Sequence, residues 1–270
     1  MKRIIKKHKK IIYKSVFYGC LVIVLLASCN TQTSSNISVN NIVVSHSDEY
    51  FDFNSILNYS HCVILETSDE SLIGYINKVQ IKNQIIYISD VQSNTISCFN
   101  LDGSFLKKIN KKGQSKSEYL QLTDFEVMNN GNIVIYDGVK GCILEYNDDS
   151  LVSLKQVVNG GVAFKLLKND LLAINLGNGI STSEKNENHN YLCVNNKNNI
   201  VKKELLFNEA YLGRRFAFGE RKSYFYQFGD ILYMTSIMDD VVYKLDEEKG
   251  DILPFVQFDL GTKRPNHNTS

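Results

Sequence analysis

Two acids two positions apart, Asp124 and Glu126, are the pair best spaced for chemistry in this 270-residue chain. They alternate with apolar residues in TDFEVM, so a strand would carry both on one side without telling which side that is. Carboxylates converging in this way can hold a cation or serve as acid and base. Their usual helpers are scarce. Of five histidines only His61 and His189 fall in the body of the chain, and GxSxG, HExxH and P-loop patterns are absent. Catalysis is therefore the lesser expectation, with no catalytic residue, metal or cofactor assigned.

A second stretch points to binding. YLGRRFAFGERKSYFYQFGD, residues 211–230, sets Arg214, Arg215, Arg221 and Lys222 among aromatic residues that include Tyr224 and Tyr226. Cations interleaved with rings can grip an anionic or glycan ligand through ion pairs, cation–π contact and stacking. The competing reading is a strand with an aromatic inner face and charged outer residues. The chain has no Trp, the favoured stacking platform. A polar insert, NLGNGISTSEKNENHN at 175–190, is expected to be a solvated loop.

Charge and cysteine content remove other classes. Residues 1–14 hold seven Lys/Arg and no acid; the remainder carries 23 basic and 29 acidic side chains, a net charge of −6. A mildly acidic body is a poor nucleic-acid surface, and none is expected as a partner. Cys62, Cys98, Cys142 and Cys193 lie in apolar runs without a CxxC spacing. Zinc is not expected of them; buried free thiols are.

The elements that must position these residues are legible as a repeat. IIYISDVQSNTISCFNLDGSFLKKI (85–109) recurs 47 residues later as NIVIYDGVKGCILEYNDDSLVSLKQV (132–157), placing Asp90 on Asp137, Ile96 on Ile143, Phe99 on Tyr146 and Asn100 on Asn147. Looser copies occupy 171–205 and 230–258, preceded by HCVILE and LIGYINKVQIK as strands without a full partner. Each unit strings short Ile/Val/Tyr-rich runs between polar turns, which reads as a blade of four antiparallel strands in an all-β propeller. A residue recurring at one place in each blade serves the blade. Asp90 and Asp137 are thus expected to close turns by bonding backbone two residues on, and Asp102-Gly103 to form a hairpin.

Residues 106–137 resemble an NHL-type repeat, with Gly113, Glu118-Tyr119, Phe125 to Val127, Gly131, Ile133 to Asp137 and then Tyr146 in the repeat's positions. Ser115-Lys116-Ser117 replaces the Gly-Pro-Gly usual there, so that loop is expected to be less rigid. Ahead of the repeats, the basic start and a short apolar run end in Leu26-Ala27-Ser28-Cys29, which resembles the lipobox of bacterial lipoproteins. Together these features are similar to the six-bladed β-propeller lipoproteins of Bacteroides-type bacteria.

That resemblance implies a signal peptide at 1–28, a diacylglycerol on Cys29, a flexible polar tether at 29–50 and the propeller at 51–270. It implies an outer-membrane protein anchored by its lipid, with periplasmic and surface display both open. It further implies a ligand-binding or protein-interaction module for a glycan, peptide or protein. The enzyme reading takes the form of a metal-assisted hydrolase or lyase with its site at the channel mouth. Six blades of about 47 residues would need more chain than follows residue 60. An incomplete ring of about four to five blades is expected, cut short or completed by a partner.

Overall fold

The computed structural model describes residues 39–43, 62–177, 189–206, 224–236 and 239–259. Among them there is no helix, and the strands fall into four sheets, each a meander in chain order. Blade 1 is β2 (Ile76–Lys82), β3 (Ile85–Asp90), β4 (Thr95–Asn100) and β5 (Phe105–Ile109). Blade 2 is β6 (Asp124–Val127), β7 (Ile133–Asp137), β8 (Cys142–Asn147) and β9 (Ser150–Gln156). Blade 3 is β10 (Ala163–Leu166), β11 (Leu172–Asn175), β12 (His189–Val194) and β13 (Ile200–Leu206). Blade 4 is β14 (Phe225–Phe228), β15 (Ile231–Thr235), β16 (Val241–Leu245) and β17 (Ile252–Asp259), extended by β1 (Asn40–Val43).

Local chemistry explains the hairpins. Asn83 and Gln84 take φ of 51° and 62° between β2 and β3, the left-handed pair a two-residue hairpin needs. Asn169 and Asp170 do the same between β10 and β11. Gly103 sits at φ +89° in the β4–β5 turn, where an added Cβ would meet the Ile64 carbonyl oxygen at 2.0 Å. The expected Asp102-Gly103 turn is therefore present, and only glycine fits it.

The blades stack face to face through apolar clusters. Tyr87, Ile96 and Cys98 of blade 1 meet Phe125, Ile135 and Leu144 of blade 2. The far side of blade 2 (Val134, Tyr136, Ile143) meets Phe164, Ile174 and Leu192 of blade 3, and the far side of blade 3 (Ala173, Tyr191, Cys193) meets Leu232, Met234 and Tyr243 of blade 4. Fully burying a large apolar side chain is worth about 1.5–3 kcal/mol, so these faces hold the arc together. The innermost strands run β2, β6, β10, β14 as successive neighbours.

Among the described residues the blades number four, matching an incomplete ring. Its two outer faces are treated differently. Ile86, Ile88 and Phe99 on the free side of blade 1 are capped by Val63, Leu65 and Ile73 from the segment ahead of the blade. That packing corrects two expectations. The stretch at 62–66 is not a strand but a cap, and its alternation turns Cys62 outward, exposed, while Cys98, Cys142 and Cys193 are buried free thiols as expected. The run at 76–82 is not an unpartnered strand either, because β2 pairs with β3 along its length. A third feature has no trace in local sequence: β1, inside the stretch expected as tether, adds to β17 in parallel, with Asn40 opposite Val256 and Val43 opposite Asp259. Residues 1–38, which hold the expected signal and Cys29, lie outside the described residues.

Candidate functional site

The recurrent aspartates are turn formers with a second task. Asp90 Oδ1 accepts from the N–H of Gln92, two residues on, at 2.9 Å, and Asp137 Oδ1 accepts from Val139 at 2.9 Å. Each also reaches back to the chain that enters its blade. Asp90 accepts from Gly74 (2.9 Å) and Tyr75 (3.1 Å), and Asp137 Oδ2 accepts from Leu120 at 2.6 Å. Their lone pairs are committed to backbone, which is the scaffold role expected from their recurrence.

Asp124 and Glu126 are both 5% exposed, and both are engaged between blades. Asp124 Oδ1 lies 2.8 Å from Lys78 Nζ on β2, and its Oδ2 accepts from the Phe164 N–H on β10 at 3.0 Å. Glu126 Oε1 lies 2.6 Å from Lys165 Nζ, and its Oε2 accepts from the Leu166 N–H at 3.1 Å. Lys78 also donates to the Phe125 carbonyl at 2.8 Å, and Gln80 Oε1 accepts from the Val127 N–H at 3.0 Å. The pair thus forms a polar lattice stitching the innermost strands of blades 1, 2 and 3. Each carboxylate has a cation and an amide, the arrangement that makes a buried charge tolerable. Among the described residues no three His, Cys, Asp or Glu side chains stand close enough to hold a metal ion.

Of the binding candidates, Arg214, Arg215, Arg221 and Lys222 lie outside the described residues, as do His61 and residues 178–188 of the polar insert. Tyr224 and Tyr226 are described and part company. Tyr224 packs at the margin of the blade 3–blade 4 cluster, where burial first and Tyr226 second push its phenol above the ordinary value. Tyr226 is 47% exposed on the opposite side of blade 4.

Among the described residues, no blade or segment packs on that side of blade 4. Strand register sets Tyr226 opposite Tyr233, Tyr233 opposite Lys244, and Lys244 opposite Leu253, a single row across four strands. Phe255 joins it, its ring centroid 5.3 Å from that of Tyr233 and 4.2 Å from Lys244 Nζ. Phe228, 81% exposed, lies one pleat away at the inner edge. An aromatic–cation row is assembled here from four strands, with Tyr226 its member from the 211–230 run. Tyr233, Lys244 and Phe255 were missed because they sit in separate strands, each unremarkable alone, and only pairing register joins them.

Comparison with known proteins agrees with this architecture. No curated protein matches. Among solved structures, an exported protein of Bacteroides fragilis is similar to this chain at 21% identity with a TM-score of 0.64, over 83% of this chain and 60% of its own. The chain therefore spans about 60% of the length of that structure. A catalytically inactive virginiamycin B lyase of Staphylococcus aureus is a more distant likeness, at 15% identity and a TM-score of 0.45 over 74% of this chain and 60% of its own. At these identities the likeness concerns the fold alone. Residues 35–270 match the family described as Domain of unknown function (DUF4934), and the chain belongs to that family.

Proposed function

We propose that this protein is an envelope lipoprotein, anchored through an acylated Cys29, whose propeller binds a macromolecular partner and performs no catalysis. The observation that carries the binding reading is the uncapped face of blade 4. Among the described residues the other blade faces are covered by a blade or by the 62–75 segment, whereas on this one Tyr226, Phe228 and Leu253 are exposed. Exposed rings flanked by a cation are the composition of an interaction surface rather than of an ordinary solvated face. A similar exported protein of Bacteroides fragilis supports an envelope or secreted location. The carboxylates best spaced for catalysis are already committed to interblade pairs.

Site-specific photocrosslinking tests the surface. A benzophenone residue at position 228 of the full chain, expressed in its native host, is expected to give one discrete adduct that Tyr226→Ser abolishes. The same probe at Val152, an exposed site on blade 2, should give none. Equal adducts at both positions would remove the surface from consideration. The anchor is tested separately: a palmitate analogue should label the wild-type chain and not Cys29→Ala, and equal labelling would refute lipidation.

A further inference from the structure

A cavity of about 240 Å³ opens between blades 1 and 2, at the end of the sheets where β2 turns into β3 and β6 into β7. Its blade 1 wall is one cross-strand row, with Tyr87 opposite Cys98 and Cys98 opposite Lys107. Tyr87 is 4% exposed. Every other buried tyrosine among the described residues gives its hydroxyl to an acceptor: Tyr119 to the Asn94 carbonyl, Tyr136 to Val158, Tyr146 to Ser117, Tyr191 to Gly250 and Tyr243 to the Asp239 carboxylate. The Tyr87 hydroxyl has no protein partner among the described residues. That hydroxyl is not one of the protein's buried unsatisfied atoms but opens onto the cavity, where it is free to bond whatever enters. Nor is the residue a requirement of the blade. Val134 holds the same position 47 residues on.

The rest of the lining defines what would fit. Its charges cancel, because Lys107 Nζ lies 2.5 Å from Asp148 Oδ1 across the two blades. Three amides face the space with bonding capacity left over. Asn132 spends its Nδ2 on Glu145 and keeps Oδ1; Asn130 spends Oδ1 on the Asn132 N–H and keeps Nδ2; the Asn147 side chain makes no bond among the described residues. Donors and acceptors therefore mix around a tyrosine, with no net charge. The volume exceeds the roughly 30 Å³ share of one water several times over, and falls just short of the roughly 300 Å³ at which drug-sized pockets begin.

We propose that this cavity binds a single ring of a neutral saccharide, whose hydroxyls, each both donor and acceptor, pair with the Tyr87 hydroxyl and with the amides of Asn130, Asn132 and Asn147. The site is separate from the blade 4 face and stands or falls without it.

Titration calorimetry on the full chain decides the matter, with methyl glucoside, methyl galactoside and methyl mannoside as probes and glucuronate as the charged comparison. At least one neutral glycoside is expected to bind. Tyr87→Phe, which removes one oxygen and keeps the ring, should weaken it about tenfold, the loss of one good hydrogen bond. Asn147→Ala, at an exposed turn, should weaken it severalfold and settles the question if Tyr87→Phe does not fold. Phe228→Ser should leave this affinity unchanged whatever it does to the partner adduct. Failure of all three glycosides to bind, wild-type affinity in both cavity variants, or tighter binding of glucuronate would each overturn the proposal.

Discussion

Lys78 and Asp124 face each other across the first two blades at 2.8 Å, with side chains 13% and 5% exposed. The same carboxylate takes the Phe164 N–H of blade 3 on its other oxygen, so one residue ties three blades at their innermost strands. Residues with the spacing of a catalytic pair are thereby turned into structure.

Asp124→Ala is expected to destabilise the fold by about 3–5 kcal/mol, because it strands the Lys78 ammonium and a buried N–H together. Val152→Ala, on the exposed outer strand of blade 2, should stay within about 0.5 kcal/mol of wild type. Urea denaturation of the two variants measures the difference. A loss under 1 kcal/mol for Asp124→Ala would mean the lattice contributes little.

Asp90 makes the stability pH-dependent. Burial alone would raise its pKa, but bonds from Gly74, Ser93 and Gln92 together outweigh that and hold the carboxyl below its ordinary range. A carboxyl depressed in the folded state contributes stability that is complete above its unfolded pKa of about 3.9 and is lost as the pH falls through the folded value. Asp90→Asn should therefore be less stable than wild type at pH 7, with the gap closing below about pH 4. Urea midpoints at pH 7, 5, 4 and 3 check this, and a gap constant down to pH 3 would contradict it.

Tyr136 and Gly161 are coupled at the blade 2–blade 3 junction. The Tyr136 hydroxyl donates to the Val158 carbonyl at 2.8 Å and accepts from the Gly161 N–H at 3.0 Å. A Cβ on Gly161 would lie 2.4 Å from that hydroxyl and 2.7 Å from Ile174 Cγ2. Tyr136→Phe should cost about 1–3 kcal/mol through its stranded partners, and Gly161→Ala about 1–3 kcal/mol through overpacking. Because the added methyl meets the oxygen that Tyr136→Phe removes, the double variant should lose less than the sum. Strict additivity in thermal unfolding would show that the crowding lies elsewhere.

The four body thiols should differ sharply in reactivity. Cys62 is exposed, whereas burial pushes Cys98 and Cys142 up to about 11 and raises Cys193 as well. Only thiolate reacts readily. In native protein at pH 7.5, maleimide labelling followed by peptide mass spectrometry should find Cys62 modified within minutes. The other three should be protected until urea is added. Equal native labelling of Cys142 would contradict its burial, and equal labelling of Cys98 would show that the reagent reaches it through the cavity or the blade 1–blade 2 interface.

How much of this was legible beforehand follows from the range of each interaction. Blade identity could be read because a four-strand meander is made of neighbours in sequence. Pairing partners sit a short turn apart, so the 47-residue period, the strand-ending aspartates and Asp102-Gly103 are all written locally. The same logic marked Asp90 and Asp137 as scaffold, and the hydrogen bonds agree. Alternation placed Asp124 and Glu126 on one side of their strand but carries no sign, and the choice between channel and neighbouring blade rests with Lys78, Lys165 and the amides of β10. Contacts over long separations leave no periodic trace: the parallel pairing of β1 with β17, the cap at 62–75 that leaves Cys62 outside, and the row from Tyr226 to Leu253. Nor can sequence report a cavity, since the opening beside the Tyr87 hydroxyl is defined by how two blades stack. Local order came from the chain's own repeats, while surfaces and vacancies were decided by how the blades stack, because burial and charge pairing depend on atoms that only folding brings together.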